Sequence, residues 1–198
     1  TALAKRAMKD QREPGIKTEY TTSGGTEAQS FVIGRYATAG HMVCPPMSHG
    51  RRGIKTPNAF LTYVIALGDI PGQTLDSVII DDEEVTFAAA DVNVPIGGPI
   101  PSNMPDWWYE QAGMTAPDPE AGRPAQGDFA DKVWIRYHDG TQTTADPFLM
   151  AIYGPGTDWE EESGRPWTED MVGTGTSYIV ITFRFFRELF SGLPRCRF

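Results

Sequence analysis

Asp81-Asp82-Glu83-Glu84 is the densest run of side chains in this 198-residue chain that could do chemistry. Adjacent carboxylates could hold a divalent cation, but an EF-hand loop needs acids at alternating positions, a central Gly and a closing Glu at the twelfth. That spacing is absent. Asp118-Pro-Glu120 and Glu160-Glu-Glu162 are further acidic runs in loop-like sequence, and all of these read as solvated surface. His41, His49 and His138 are scattered, without His-Glu-x-x-His or comparable ligand spacing. Ser48, His49 and Cys44 are close in sequence, yet no nucleophile-elbow pattern flanks them. The chain is therefore expected to carry no catalytic, metal or cofactor site.

Two other features invite a ligand. Gly173-Thr-Gly-Thr-Ser177 is Gly-rich but lacks the Gly-Lys-Ser/Thr ending of a phosphate loop. A strand follows it where such a loop needs a helix N-terminus, so it reads as a structural turn. Trp107, Trp108 and Tyr109 are adjacent aromatics in a Pro/Gly-rich acidic loop. They are candidate ligand or partner contacts: rings of this kind stack on sugars or plug a loop onto its own domain or a neighbour. Cys44 and Cys196 make no disulfide framework and read as two reduced, mostly buried thiols.

The elements that must position these residues are mostly strands. Phe60 to Leu67 is a near-continuous apolar run, as expected of a strand buried on both faces. Leu75 to Ile80, a tight turn at Asp81-Asp82 and Glu84 to Phe87 predict a hairpin. Lys132 to His138 alternates, with Val133, Ile135 and Tyr137 on one face and Lys132, Trp134 and Arg136 on the other. Asp139-Gly140 then predicts a hairpin turn. Tyr178 to Phe186 is a further strand, and a second extended piece opens at Leu193. Phe31 to Tyr36 reads as a strand with His41 to Cys44 as its hairpin partner, Pro45-Pro46 ending it. Ser48 to Pro57 reads as a polar loop, Pro147 to Tyr153 as a short helix or strand, and Trp167 to Met171 as a helical turn. One β core is expected from Leu61, Tyr63, Ile65, Leu67, Val78, Ile80, Val133, Ile135, Tyr178, Val180 and Phe183.

Residues 1–28 predict an extended N-terminal arm outside that core. Ala2 to Arg12 is a short helix stopped at Pro14-Gly15, with too thin an apolar stripe to stand without a partner. Lys5, Arg6, Lys9 and Arg12 make it a candidate subunit-contact arm. Residues 29–198 form the β-rich domain, interrupted by an irregular insertion at about 88–128. The fold class is thus mainly β, barrel-like or mixed-sheet, with short helices and a long Pro/Gly-rich insertion.

The net charge of −9 is unevenly placed. Asp69 to Asp170 holds 21 acids against four bases, whereas the first 55 residues hold nine bases against four acids. An acidic middle argues against a nucleic-acid surface, where phosphates call for clustered Lys and Arg. It reads as a solvated acidic face, or as one that receives the basic arms of neighbouring subunits. No apolar run reaches the length of a membrane span, and no signal peptide opens the chain. A strand carried to Phe198 without a terminal turn, and Thr1 at the start, predict a fragment of a longer chain.

Five segments together resemble a known family: Phe31-Val-Ile-Gly-Arg-Tyr36, Leu61 to Leu67, Leu75 to Val85, Lys132-Val-Trp-Ile-Arg-Tyr-His-Asp-Gly140, and Gly175 to Pro194. Their order and spacing are similar to those of the N-terminal hub region of the tail-tip proteins of long-tailed phages. These are also called tip attachment or central tail fibre proteins. The resemblance spans roughly residues 30 to 198, and residues 88–128 have no counterpart in it. It implies a homotrimeric baseplate hub at the distal tail tip of the virion, made in the host bacterial cytoplasm. Such a hub joins the tail tube to the central fibre and takes part in host attachment and DNA-exit gating. Its implied partners are other tail-tip and tail-tube proteins and a host surface receptor. Two rival readings stand beside it: a carbohydrate-binding module for host recognition, resting on Trp107 to Tyr109, and a tail-associated cell-wall hydrolase.

Overall fold

The computed structural model describes residues 33–52, 56–89, 92–93, 120–156 and 167–198. The protein is mainly β. Its strands are β1 (His41–Met42), β2 (Met47–Arg52), β3 (Thr56–Gly68), β4 (Val78–Ile80), β5 (Glu83–Val85), β6 (Val92–Asn93), β7 (Glu120–Pro124), β8 (Val133–His138), β9 (Ser177–Arg184) and β10 (Cys196–Arg197). Helix α1 (Pro147–Tyr153) lies between β8 and β9. Every strand pairing is antiparallel. The main sheet runs β1-β3-β9-β8-β7-β6, with β2 also on β3, and a second sheet runs β10-β4-β5.

Hydrogen bonds join the two sheets at both seams. Thr38 and Phe198 exchange a pair of backbone bonds, at 2.9 and 2.8 Å, beside β1 and β10. Beyond β5, the Gln126 amide donates to Thr86 O at 2.8 Å and the Ala88 amide to Pro124 O at 2.9 Å, linking β5 to β7. The ladder therefore closes into a barrel, which leaves few unpaired edges.

The pleat of a strand sends alternate side chains to opposite faces. On β3 and β9 both sets are buried, so the strands serve two cores. Tyr63, Ile65, Val78, Ile80, Val85, Val133, Ile135, Ile179, Ile181 and Phe183 fill the barrel interior. Phe60, Val64, Trp134, Tyr178 and Val180 point the other way and pack under α1 with Phe148, Leu149, Ile152, Tyr153 and Trp167. The single core expected from the sequence is corrected here: Tyr178 and Val180 belong to the outer cluster.

Other expectations also change. Residues 33–36 are not in a strand, and β1 pairs with Ile65 and Ala66 of β3 instead. Gly40, at φ 65°, permits that approach, because a Cβ there would strike Ile65 and the Ala66 carbonyl. Met47–Arg52 is a strand where a polar loop was expected, since the long β3 offers it a ladder edge. Asp139-Gly140 does not make a two-residue hairpin, because α1 intervenes before β9. Gly140 instead packs against the Pro71 backbone. The stretch expected to be irregular contains β6 and β7, and its residues 94–119 lie outside the described residues. The Asp81-Asp82 turn is as expected, with φ of 48° and 73°.

Candidate functional site

The outer face of the barrel wall, under α1, is where buried polar side chains gather. Asp146 starts the helix: its side chain accepts from the Leu149 amide at 2.9 Å, and Pro147 follows at the first helical position. Asp146 is fully buried and meets two side chains of β8. Arg136 Nε donates to Asp146 Oδ2 at 2.7 Å and His138 Nε2 donates to the same oxygen at 2.6 Å. These side chains share a face because 136 and 138 are two apart on a strand. Burial alone would raise the Asp146 pKa, but the His138 bond, the Arg136 charge and the Leu149 amide together hold it below the usual carboxylate range. The His138 ring stacks on Tyr178 of β9, its cross-strand neighbour, with centroids 4.4 Å apart.

A second polar line crosses the same face. His49 of β2 lies with Nδ1 2.5 Å from the Tyr153 hydroxyl of α1. That hydroxyl donates to Thr62 Oγ1 of β3 at 3.0 Å, and Thr62 lies 3.0 Å from Thr182 Oγ1 of β9. The imidazole tautomer decides which of His49 and Tyr153 donates in this bond. His49 is buried between Phe60, Phe148 and Tyr153, and desolvation lowers its pKa to about 3. Burial thus keeps the His49 imidazole neutral. Burial pushes the Tyr153 hydroxyl up from its ordinary value.

These two sets bind α1 to β2, β3, β8 and β9. His–Asp pairing is the arrangement that orients a general base. Here both Asp146 oxygens are occupied and the imidazole is covered by Tyr178, so the pairing acts as a clamp. Among the described residues no group of three His, Cys, Asp or Glu could hold a metal ion. No helix among them is long and apolar enough to cross a membrane.

The residues singled out in the sequence fall elsewhere. Asp81 and Asp82 sit at the β4–β5 turn and face the arginines of the chain end. Arg197 Nη2 donates to Asp82 Oδ1 at 2.5 Å, and the Arg195 amide donates to Asp81 Oδ1 at 3.0 Å. Arg35 pairs with Asp76 at 3.0 Å. Part of the basic-against-acidic pattern is thus satisfied within one chain. Gly173-Thr-Gly-Thr-Ser177 is a turn, with φ of 70° and 85° at its glycines. Gln142 Nε2 holds it by donating to Gly173 O at 2.5 Å and Thr176 O at 3.1 Å. Cys44 borders the outer core and Cys196 the interior, and no disulfide joins them. Burial raises the Cys196 thiol to about 12. Trp107, Trp108, Tyr109, Lys5, Arg6, Lys9 and Arg12 lie outside the described residues.

Sequence reading passed over Asp146 and the threonines, and met His138 only as one of three scattered histidines. The Asp-Pro pair was a legible helix start. Thr62 and Thr182, each inside an apolar strand, were signals of a buried polar contact. A groove of about 460 Å³ also runs beside the Thr38–Phe198 seam, bordered by Tyr36, Gln73, Leu75, Asp76, Tyr137 and Phe198. No protein-family model, curated protein or solved structure matches this chain.

Proposed function

We propose that the chain is a structural component of a phage tail tip: a hub domain that links the tail tube to the central fibre. In this reading it stands as a homotrimer around the tail axis, contacts tube and tip proteins, and takes part in host attachment and DNA-exit gating.

The observation that carries the reading is where the family-like segments lie. Leu61 to Leu67 is on β3, Gly175 to Pro194 contains β9, and Lys132 to Gly140 contains β8, three strands side by side. Leu75 to Val85 is the β4–β5 hairpin that closes the ring with them. Four of the five segments thus lie in one physical unit, the barrel wall, while residues 33–36 of the remaining segment are in no strand. Burial of Asp146 and His49 in contacts that pin α1 suits a rigid scaffold.

Cryo-electron microscopy of the intact particle tests the proposal. Three copies around the tail axis are expected. Six copies, or a place in the capsid or tube wall, would overturn it.

A further inference from the structure

The barrel is closed by one of its shortest staves. Strand β10 spans two residues, with Cys196 opposite Ile80 and Arg197 opposite Ile79, and Phe198 beyond it exchanges backbone bonds with Thr38. By contrast β3 and β9 are paired all the way from Phe60 to Gly68. The pleat divides the side chains of the closing segment. Cys196 and Phe198 pack toward the interior but are only partly buried, whereas Ile80 on the strand beside them is wholly buried. Arg195 and Arg197 turn outward, to the Asp81-Asp82 turn.

The chain is anchored just before this segment and loosely held where it enters it. The Phe190 amide donates to Phe186 O at 2.9 Å, and the buried Phe190 ring stands edge-on to Phe183 with centroids 5.6 Å apart. Among the described residues, Ser191 to Pro194 make no backbone hydrogen bond. Gly192 lies in this link with open space at its Cβ position, and glycine turns its backbone more freely than any other residue. Beyond the link the fastening is largely polar. The Asp81 amide donates to Arg195 O at 2.9 Å, the Arg195 amide to Asp81 Oδ1 at 3.0 Å, and Arg197 Nη2 to Asp82 Oδ1 at 2.5 Å. The Arg195 guanidinium adds ion pairs to Asp81 at 3.7 Å and Asp82 at 3.5 Å. Ion pairs between exposed side chains contribute little each and are screened by salt. Release of the segment leaves the rest of the ring bonded, because β4 stays on β5 and β5 stays joined to β7 through Gln126 and Ala88. A segment held this way opens at a lower free energy than the whole fold.

We propose that Arg195 to Phe198 is a strap, hinged at Ser191 to Pro194, that opens and closes the barrel wall along one seam while both cores stay folded. Closed, it fills the one-strand gap between Thr38 and β4. Open, it releases the backbone groups of Thr38, Ile79 and Ile80 from their partners. The Asp81-Asp82 turn is the catch that sets how often it opens. The strap rests on this seam alone and is independent of the hub reading.

Thiol labelling tests it, because Cys196 rides on the strap. In the closed state burial raises that thiol to about 12 and keeps it protonated, so iodoacetamide at about pH 8 reads the open molecules. Mass spectrometry of the labelled chain separates Cys196 from Cys44. Cys196 should react at least about tenfold more slowly than in the urea-unfolded chain, with a urea dependence well below that of global unfolding. Asp81→Asn with Asp82→Asn keeps residues that tolerate the positive φ of that turn. It should speed the labelling about tenfold while the urea midpoint of the fold moves little. Raising salt from about 50 to 500 mM should speed it about threefold. If circular dichroism shows the double variant unfolded, Arg197→Gln decides, with labelling about threefold faster expected. Labelling that follows global unfolding in urea, labelling as fast as in the unfolded chain, or labelling indifferent to both salt and charge removal would each overturn the strap. The hub reading fails separately, on copy number in the particle.

Discussion

The Nδ1 of His49 and the hydroxyl of Tyr153 lie 2.5 Å apart, joining β2 to α1 in a space closed to water. This contact makes stability depend on pH. His49 stays neutral in the fold, because burial lowers its pKa from 6.5 to about 3. A base with a depressed folded pKa contributes full stability above the unfolded value and loses it as pH falls. The loss sets in below about pH 6.5 and continues to about 3. At pH 5 it should reach roughly 2 kcal/mol relative to pH 7. Urea midpoints at the two pH values should show it. His49→Phe should flatten that slope, since Tyr153 keeps its bond to Thr62. An unchanged slope in His49→Phe would rule out His49 as its source.

Asp146 acts in the same sense but at lower pH. Its folded pKa is depressed, so its contribution is present above the unfolded value of about 3.9 and disappears as pH falls through the folded value. Asp146→Asn keeps the shape but leaves Arg136 facing no charge, and should cost roughly 3 kcal/mol at pH 7. By contrast Arg197 and Asp82 are 54% and 69% exposed, so Asp82→Asn should cost less than about 1 kcal/mol. Comparable losses in the two variants would show that burial does not set the value of these pairs.

Gly40 tests the β1 seam. Alanine there would be strained at φ 65° and would press on Ile65 and the Ala66 carbonyl. The expected cost of Gly40→Ala is about 1–3 kcal/mol. Gly156 also has a positive φ, 77°, but nothing lies near its Cβ position. Gly156→Ala should therefore cost less, about 1 kcal/mol. Thermal denaturation of the two variants separates crowding from backbone strain.

The strands that were legible in the sequence are those whose pattern is local. Lys132 to His138 alternates, and its two faces were read correctly: Val133, Ile135 and Tyr137 reach the interior while Trp134 reaches the outer core. The apolar run at Phe60 to Leu67 correctly announced burial on both faces. The same run did not announce two cores, because α1 covers the second face and α1 is distant in sequence. Met47–Arg52 looked like a loop because its buried polar residue, His49, finds its partner Tyr153 about a hundred positions away. The clamp at Asp146 was hidden for a related reason. Spacing reveals that Arg136 and His138 share a face, but not that a helix start returns to lie over them.

The two-core architecture itself makes a prediction. Ile65 points into the barrel and Ile152 of α1 packs on the outer face, with the sheet between them. Both are almost wholly buried, at 4% and 1%. Ile65→Val and Ile152→Val should each cost about 0.5–1.5 kcal/mol, from the lost methylene and the cavity it leaves. Residues with no shared partners lose stability additively, to within about 0.5 kcal/mol. The double variant should thus equal the sum of the two. Ile65→Val with Ile179→Val, both in the interior and directly opposite one another on β3 and β9, should deviate from additivity. The reason is that two small cavities in one core relax together. A guanidinium titration of the four proteins measures both cycles. Coupling as large across the sheet as within the barrel would mean that the two clusters behave as one core, and that the helix is not a separate cover but part of the barrel's own packing.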